Sequence, residues 1–201
     1  YVDGTKGWIV TDSGNQSDAP TATYITASGG NTTITCGDYK THIFTGPGTL
    51  CVSAVGNAAG STSVDYLVVA GGGSGGTSIT TLNGAAGGGA GGFRMSNGYC
   101  LPAPLTSPLA APASLPVSVQ GYPITVGAGG SAICGPSDSN GNNGSDTIFS
   151  SITSTGGGYG SGNADVGPVP GDGGPGGSGG GTFQNCAGTG NTPPTSPPQG
   201  Q

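Results

Sequence analysis

Charge is what this chain has least of. Lys, Arg, Asp and Glu make up 6% of its 201 residues, against about 25% in ordinary soluble domains. Glu is absent, all nine acids are Asp, and the only bases are Lys6, Lys40 and Arg94. Without Glu, and nearly without Lys and Arg, the chain lacks its best helix formers, which predicts almost no α-helix. A formal net charge of −6 argues against nucleic-acid binding, because phosphate contacts need Lys and Arg. One arginine is too few for an RGG-type RNA binder. No stretch approaches the 18 or so consecutive apolar residues of a membrane-spanning helix, so no membrane insertion is expected.

Histidine is equally scarce. A catalytic triad would have to use His42, which lies in a strand-like segment with Lys40 and Phe44 on its own face and reads as a structural or surface residue. With one histidine and no C-x-x-C pair, a zinc site is not expected. Paired carboxylates are needed for glycoside hydrolysis, and Asp138 with Asp146 is the only close, polar pair. The chain is therefore expected to be no enzyme and to need no cofactor.

What the chain has is glycine. It holds 46 Gly and 16 Pro, with Leu, Ile, Val and Phe under a fifth, a composition that on its own reads as disorder. The glycines, however, are gathered into runs: GGGSGG at 71–76, GGGAGG at 87–92, GGGYGSG at 156–162 and GGPGGSGGG at 173–181. Polyglycine is poor in a helix interior and gives a strand nothing to pack. The remaining regular state is polyproline II, with three residues per turn, in which only Gly allows several such helices to pack tightly. Having no internal hydrogen bonds, these helices must be held by bonds to their neighbours. The strict Gly-X-Y period of collagen is missing.

Composition divides the chain into an N-terminal β-like connecting segment (1–35), a glycine-rich domain (36–183) and an extended C-terminal tail (184–201), in which NTPPTSPPQGQ is read as exposed. Within the domain, YKTHIFT, LCVSAV and VDYLVVA form the best strand region, the last as a continuous apolar run suited to a buried strand. The Gly-Pro-Gly at 46–48 suggests a hairpin placing Phe44 opposite Cys51. YPIT and TIFSSITS read as further strands, and the Pro-rich stretch 101–117 reads as an extended excursion. The expected fold is mainly β: a β-strand layer plus a sandwich of polyproline-II-type glycine helices. Phe93, Tyr159 and Phe183 would flank its layers. The cysteines, Cys36, Cys51, Cys100, Cys134 and Cys186, are odd in number and read as buried thiols or long-range disulfides.

Several motifs invite chemistry. VVAGGGSGG places Gly71, Gly73 and Gly76 after a strand, as in a dinucleotide fingerprint. The required helix does not follow, and no acid occurs between Asp65 and Asp138, so cofactor binding is not expected. DSNGNNGSD loosely matches a calcium loop with oxygens at Asp138, Asn140, Asn142 and Asp146. Asn143 stands where that loop has glycine and Phe149 where it has glutamate, so a surface turn is the favoured reading. Sequons for glycosylation occur at Asn15, Asn31 and Asn143. The chain opens on Tyr1 rather than Met and is expected to be a processed product or a fragment.

DGTKGWIVTDSG, GDYKTHIFTGPGTL, VDYLVVAGGGSGG with GGGAGGFR, YPITVGAGG and SSITSTGGGYGSG, in that order, resemble glycine-rich modules of virion structural proteins from tailed phages, notably those of cyanobacteria. The resemblance spans roughly residues 3 to 181. Related tail-fibre adhesins imply a sandwich of glycine helices with receptor-binding loops between them. By that likeness, the loops 77–86 and 163–172 become recognition loops, with Thr77, Ser78, Thr80, Thr81, Asn83, Asn163, Asp165 and Asp172 as receptor contacts. The implied protein is a virion or extracellular tail-fibre, adhesin or decoration module. It would self-associate as a homo-oligomer, a trimer or fibre, and contact a host-surface glycan or protein. Two other expectations stand beside it: a subunit of an extracellular filament joined by strand addition, and ice binding, for which the regular threonine spacing is missing.

Overall fold

The computed structural model describes residues 21–37, 39–79, 84–96, 107–134, 137–163 and 171–200, together with two short paired strands, β1 (Val2–Asp3) and β2 (Gly7–Trp8). It is built of β-strands and irregular extended segments, and the described residues contain no helix. Correspondingly, none of them lies in a helix long and apolar enough to cross a membrane.

β-branched and aromatic residues at alternating positions build the largest sheet. It is antiparallel and contains β3 (Thr26–Ser28), β6 (Gly48–Ala54), β12 (Gly121–Thr125), β13 (Thr147–Phe149) and β14 (Ile152–Ser154), in the order β14-β13-β12-β6-β3. Smaller sheets pair β4 (Thr32–Cys36) with β5 (Tyr39–Ile43), and β7 (Ser63–Val64) with β11 (Leu115–Pro116). A third, ordered β10-β9-β8, joins β8 (Leu67–Val69), β9 (Phe93–Ser96) and β10 (Ala110–Ala111). The hydrophobic core lies between these layers and is small: Leu50, Val52, Val68, Val117, Tyr122 and Phe149. Tyr122 meets Phe149 edge to face at 6.2 Å.

Several sequence expectations are corrected. The turn at 46–48 does not close a hairpin: β5 pairs with β4, while β6 pairs with β12 and β3. The hairpin turn instead follows Cys36, where Gly37 takes a φ of 57° that suits glycine. VDYLVVA is not a fully buried run: Val68 and Ala70 are buried and Val64 and Tyr66 pack against the core, while Leu67 and Val69 stay exposed. TIFSSITS is two strands, folded back at Ser150, whose φ is 54°. The Pro-rich excursion is drawn into the sheets over its described part through β10, β11 and the buried Val117. Cys36, Cys51, Cys134 and Cys186 are exposed free thiols rather than buried or bridged ones.

Beyond one end of the strands the chain changes state. β8 runs on into segment g1 (70–77), β12 into g3 (127–131) and β14 into g5 (155–162), while g2 (86–92) leads into β9 and g4 (139–145) into β13. A sixth segment, g6, covers 177–181. Hydrogen bonds between these segments advance three residues at a time. Ala70, Gly73 and Gly76 of g1 donate to Gly92, Gly89 and Ala86 of g2, at 2.8–3.0 Å. Gly71, Ser74 and Thr77 donate to Ser145, Asn142 and Ser139 of g4. Ala86, Gly89 and Gly92 donate in turn to Ser161, Gly158 and Thr155 of g5. A period of three is the repeat of polyproline II, whose backbone groups all point outward to neighbours. The bonding order makes two staggered layers, g3-g1-g2 over g4-g5-g6, with g5 bonded to g1, g2, g4 and g6.

Close approach, not left-handed geometry, is what requires glycine here. No glycine of these segments has a positive φ; those at Gly29, Gly30 and Gly37 all lie in the hairpin region. A Cβ on Gly158 would fall onto the carbonyl of Gly174, one on Gly73 onto Gly158, and one on Gly160 onto Ala86. Positions turned outward are different: a Cβ on Gly87 would meet nothing within 4 Å.

The C-terminal stretch is corrected most. Residues 186–192 lie against g6, with Gly188 donating to Gly180, Asn191 to Gly177 and Thr192 to Gly176. Gln199, 1% exposed, plugs the boundary between strands and glycine segments. Its side chain accepts from the Thr155 N–H at 2.9 Å and donates to Thr155 Oγ1 and the Pro193 carbonyl, while its carbonyl accepts from the Phe93 N–H. Asn191 shapes the turn by accepting from the N–H groups of Thr195 and Gln199. The tail is therefore part of the domain.

Gly158→Ala should destabilise the protein by more than about 3 kcal/mol or prevent folding, because backbone on both sides cannot yield to a Cβ, whereas Gly87→Ala should stay within about 0.5 kcal/mol. Urea unfolding of the two variants beside the parent checks both.

Candidate loop platform

The two layers carry loops at the end away from the strands. Segments g1, g3 and g5 run outward from the sheets, and g2 and g4 run back. The described ends of the connections between them, residues 78–79 and 84–85, 132–134 and 137–138, and 163 and 171–172, therefore lie at one end. There Thr77 and Ser139 form a bridge, the Thr77 hydroxyl donates to the Ser137 carbonyl at 3.0 Å, and the Ile79 N–H donates to Asp138 Oδ1 at 2.8 Å. The turn at 182–186 reaches the same end: the Phe183 N–H donates to Ser161 Oγ, and the Cys186 N–H donates to Asp172 Oδ1.

Of the recognition residues expected from the sequence, Thr77 and Ser78 are half-buried at this platform and Asp172 is exposed. Asn163, expected as a receptor contact, is fully buried. Thr80, Thr81, Asn83 and Asp165 lie outside the described residues. The loop 132–138 was missed. Its signal was a third recurrence of strand, small-residue segment, loop and small-residue segment, hidden because g3 and g4 are not pure glycine runs.

DSNGNNGSD supplies a row of side-chain hydrogen-bond acceptors. Asn140 Oδ1 accepts from the Gly162 N–H at 2.9 Å, Asn143 Oδ1 from Tyr159 at 2.8 Å and Asp146 Oδ1 from Gly156 at 2.8 Å. Between these rungs Gly141 and Gly144 donate to the Gly160 and Gly157 carbonyls. Side-chain oxygens every third residue thus satisfy g5 donors that no carbonyl reaches, and glycine between them brings the backbones together. The remaining calcium candidates also have separate partners: Asp138 binds Ile79, and Asn142 donates to the Ser131 carbonyl at 2.9 Å. Among the described residues no group of three or more His, Cys, Asp or Glu could hold a metal ion. Of the sequons, Asn31 and Asn143 are exposed and each accepts a backbone hydrogen bond through its side chain, from Thr45 and Tyr159; Asn15 lies outside the described residues.

The other chemical motifs are absorbed by the fold. Gly71, Gly73 and Gly76 sit in g1, each against another segment's carbonyl rather than opening a phosphate loop. His42 shares a hydrogen through Nδ1 with the Gly29 carbonyl at 2.7 Å. Hydrogen bonds with Ser118 lower the pKa of the Tyr122 phenol, which belongs to the core. Tyr159 packs its ring on Gly174, and Phe183 packs on Gly84, so both flank the layers.

The family model for the glycine-rich domain matches residues 45–201, and the chain belongs to that family. No curated protein and no solved structure matches it. The match runs to the end of the chain, in keeping with the docked C-terminal stretch, and it leaves β3, β4 and β5 outside the family domain.

Asn143→Leu should cost about 1–3 kcal/mol by leaving the Tyr159 N–H without an acceptor, while Asn143→Asp keeps an oxygen in place and should stay near the parent. Denaturant midpoints at pH 7 separate the two; equal losses would mean that the ladder contributes nothing.

Proposed function

We propose that this protein is a non-enzymatic adhesin or decoration module displayed outside the cell, most specifically a tail-fibre module of a tailed phage, whose loops at 78–85, 132–138 and 163–172 contact a host-surface glycan or protein. The observation that carries this reading is that the described ends of three connections lie at one end of a hydrogen-bonded glycine sandwich. Fixing the ends of a loop lowers the ordering entropy that opposes binding. Loop sequences vary more readily than the scaffold that positions them. The order of strand motifs and glycine runs, which resembles virion modules of cyanobacterial phages, supports the setting. Sparse charge suits a neutral or weakly charged receptor better than a phosphate-rich one.

Replacing residues 78–85 and 132–138 by Gly-Ser linkers of equal length should remove at least nine-tenths of binding to whole cyanobacterial cells or to arrayed glycans. The thermal midpoint should remain within about 3 °C of the parent. Binding that survives both replacements, in a protein that still melts like the parent, rules out a recognition role for the platform.

A further inference from the structure

Two Asn-Gly pairs follow one another in g4, Asn140-Gly141 and Asn143-Gly144. Asn-Gly is the asparagine pair most prone to cyclise, because glycine places no Cβ in the way when its main-chain nitrogen attacks the asparagine side-chain carbon. The fold cannot give these glycines up: a Cβ on Gly141 would fall onto the carbonyl of Ser74, and one on Gly144 onto that of Gly71. It also uses the asparagine oxygens, which accept from the N–H groups of Gly162 and Tyr159 at 2.9 and 2.8 Å. A reactive sequence is therefore required twice, three residues apart. The bonds that require it also hold its reacting atoms. The attacking nitrogens, those of Gly141 and Gly144, donate to the carbonyls of Gly160 and Gly157, each at 2.9 Å. Cyclisation needs that nitrogen to lose its proton and the carboxamide to swing over it, so both bonds to g5 must break first. Exclusion of water is not what protects the pairs, since Asn143 is exposed and Asn140 half-buried.

We propose that Asn140 and Asn143 are latent deamidation sites, kept as amides by the g4–g5 ladder and open to reaction only while g4 is parted from g5. In the parted state the Gly144 nitrogen bonds to Asn143 Cγ and the Cγ–Nδ2 bond breaks. The proton lost by the attacking nitrogen passes through solvent to the leaving one, which departs as ammonia. The succinimide so formed takes up one water and opens to Asp or to isoaspartate; Gly141 and Asn140 react in the same way. Asp restores an acceptor for g5. Isoaspartate instead carries the main chain through the side-chain carbons and adds one carbon to g4, so the three-residue match to g5 is lost beyond it. A transient local opening thereby becomes permanent, and the working life of the glycine sandwich is set by how rarely g4 and g5 part. Nothing in this depends on what the loops bind.

The test follows conversion of the two amides at pH 8 by peptide mapping and mass spectrometry. It compares the folded full chain, the same chain unfolded in urea, and the synthetic decapeptide Ser-Asp-Ser-Asn-Gly-Asn-Asn-Gly-Ser-Asp. Both sites should react at least a hundredfold more slowly in the folded chain than in the decapeptide, and the unfolded chain should match the decapeptide within threefold. Asp146→Ala removes the acceptor of the Gly156 N–H, the next rung of the ladder, and should speed both conversions in the folded chain at least fivefold. Folded-chain rates within threefold of the decapeptide overturn the proposal. So does a folded Asp146→Ala variant that reacts no faster than the parent, because protection would then come from something other than the ladder. The comparison with the decapeptide needs no variant, so it decides the matter even where Asp146→Ala fails to fold. Cell binding is measured separately, and failure here leaves the recognition role of the loops intact.

Discussion

Every feature of the glycine sandwich depends on one constraint: a buried backbone N–H must find an acceptor although its own segment supplies none. In a helix or sheet the ladder is built into the element. In g1 to g6 it exists only between elements, so neighbours must come within hydrogen-bond distance on several sides at once. That leaves no room for a Cβ on the inward positions, which is why Gly73, Gly158 and Gly160 each face another segment's carbonyl. The apolar core of Leu50, Val52, Val68, Val117, Tyr122 and Phe149 lies wholly among the strands. The sandwich instead accumulates many small net gains of about 0.5–1.5 kcal/mol per hydrogen bond, against the large backbone entropy of glycine.

Such a balance makes an unmatched donor expensive, and side chains close the remaining gaps. Asn140, Asn143 and Asp146 serve g5 where carbonyls do not, and Gln199 serves Thr155 and Phe93 where strands give way to glycine segments. These residues are polar and sit among polar neighbours, yet their role is that of core residues elsewhere. Gln199, fully buried, fills its site as a buried leucine would in an apolar core.

This exchange of roles explains what was legible in the sequence. The four glycine runs declared that backbones lie against one another, because no other regular state suits polyglycine, and the near absence of helix formers excluded the α class. The strands read correctly wherever β-branched and aromatic residues alternated, as in YPIT. What failed were readings that assumed polar means exposed. DSNGNNGSD was taken for a turn or a cation loop, although its Asn-Gly spacing repeats every three residues and matches g5. NTPPTSPPQGQ was taken for an exposed tail, although Gln199 is buried. The β5 to β6 connection was misread for another reason: Gly-Pro-Gly favours a turn but does not choose which strand the chain joins next.

The two ends of the molecule differ because different forces finish them. At the loop end the glycine segments bond laterally to their neighbours at every third residue. At the strand end, among the described residues, β5 pairs only with β4 and β8 only with β9, and both border the sheet that carries the buried Leu50 and Phe149. The glycine sandwich, bonded to neighbours on several sides, holds the loop end and the strand end in fixed relation.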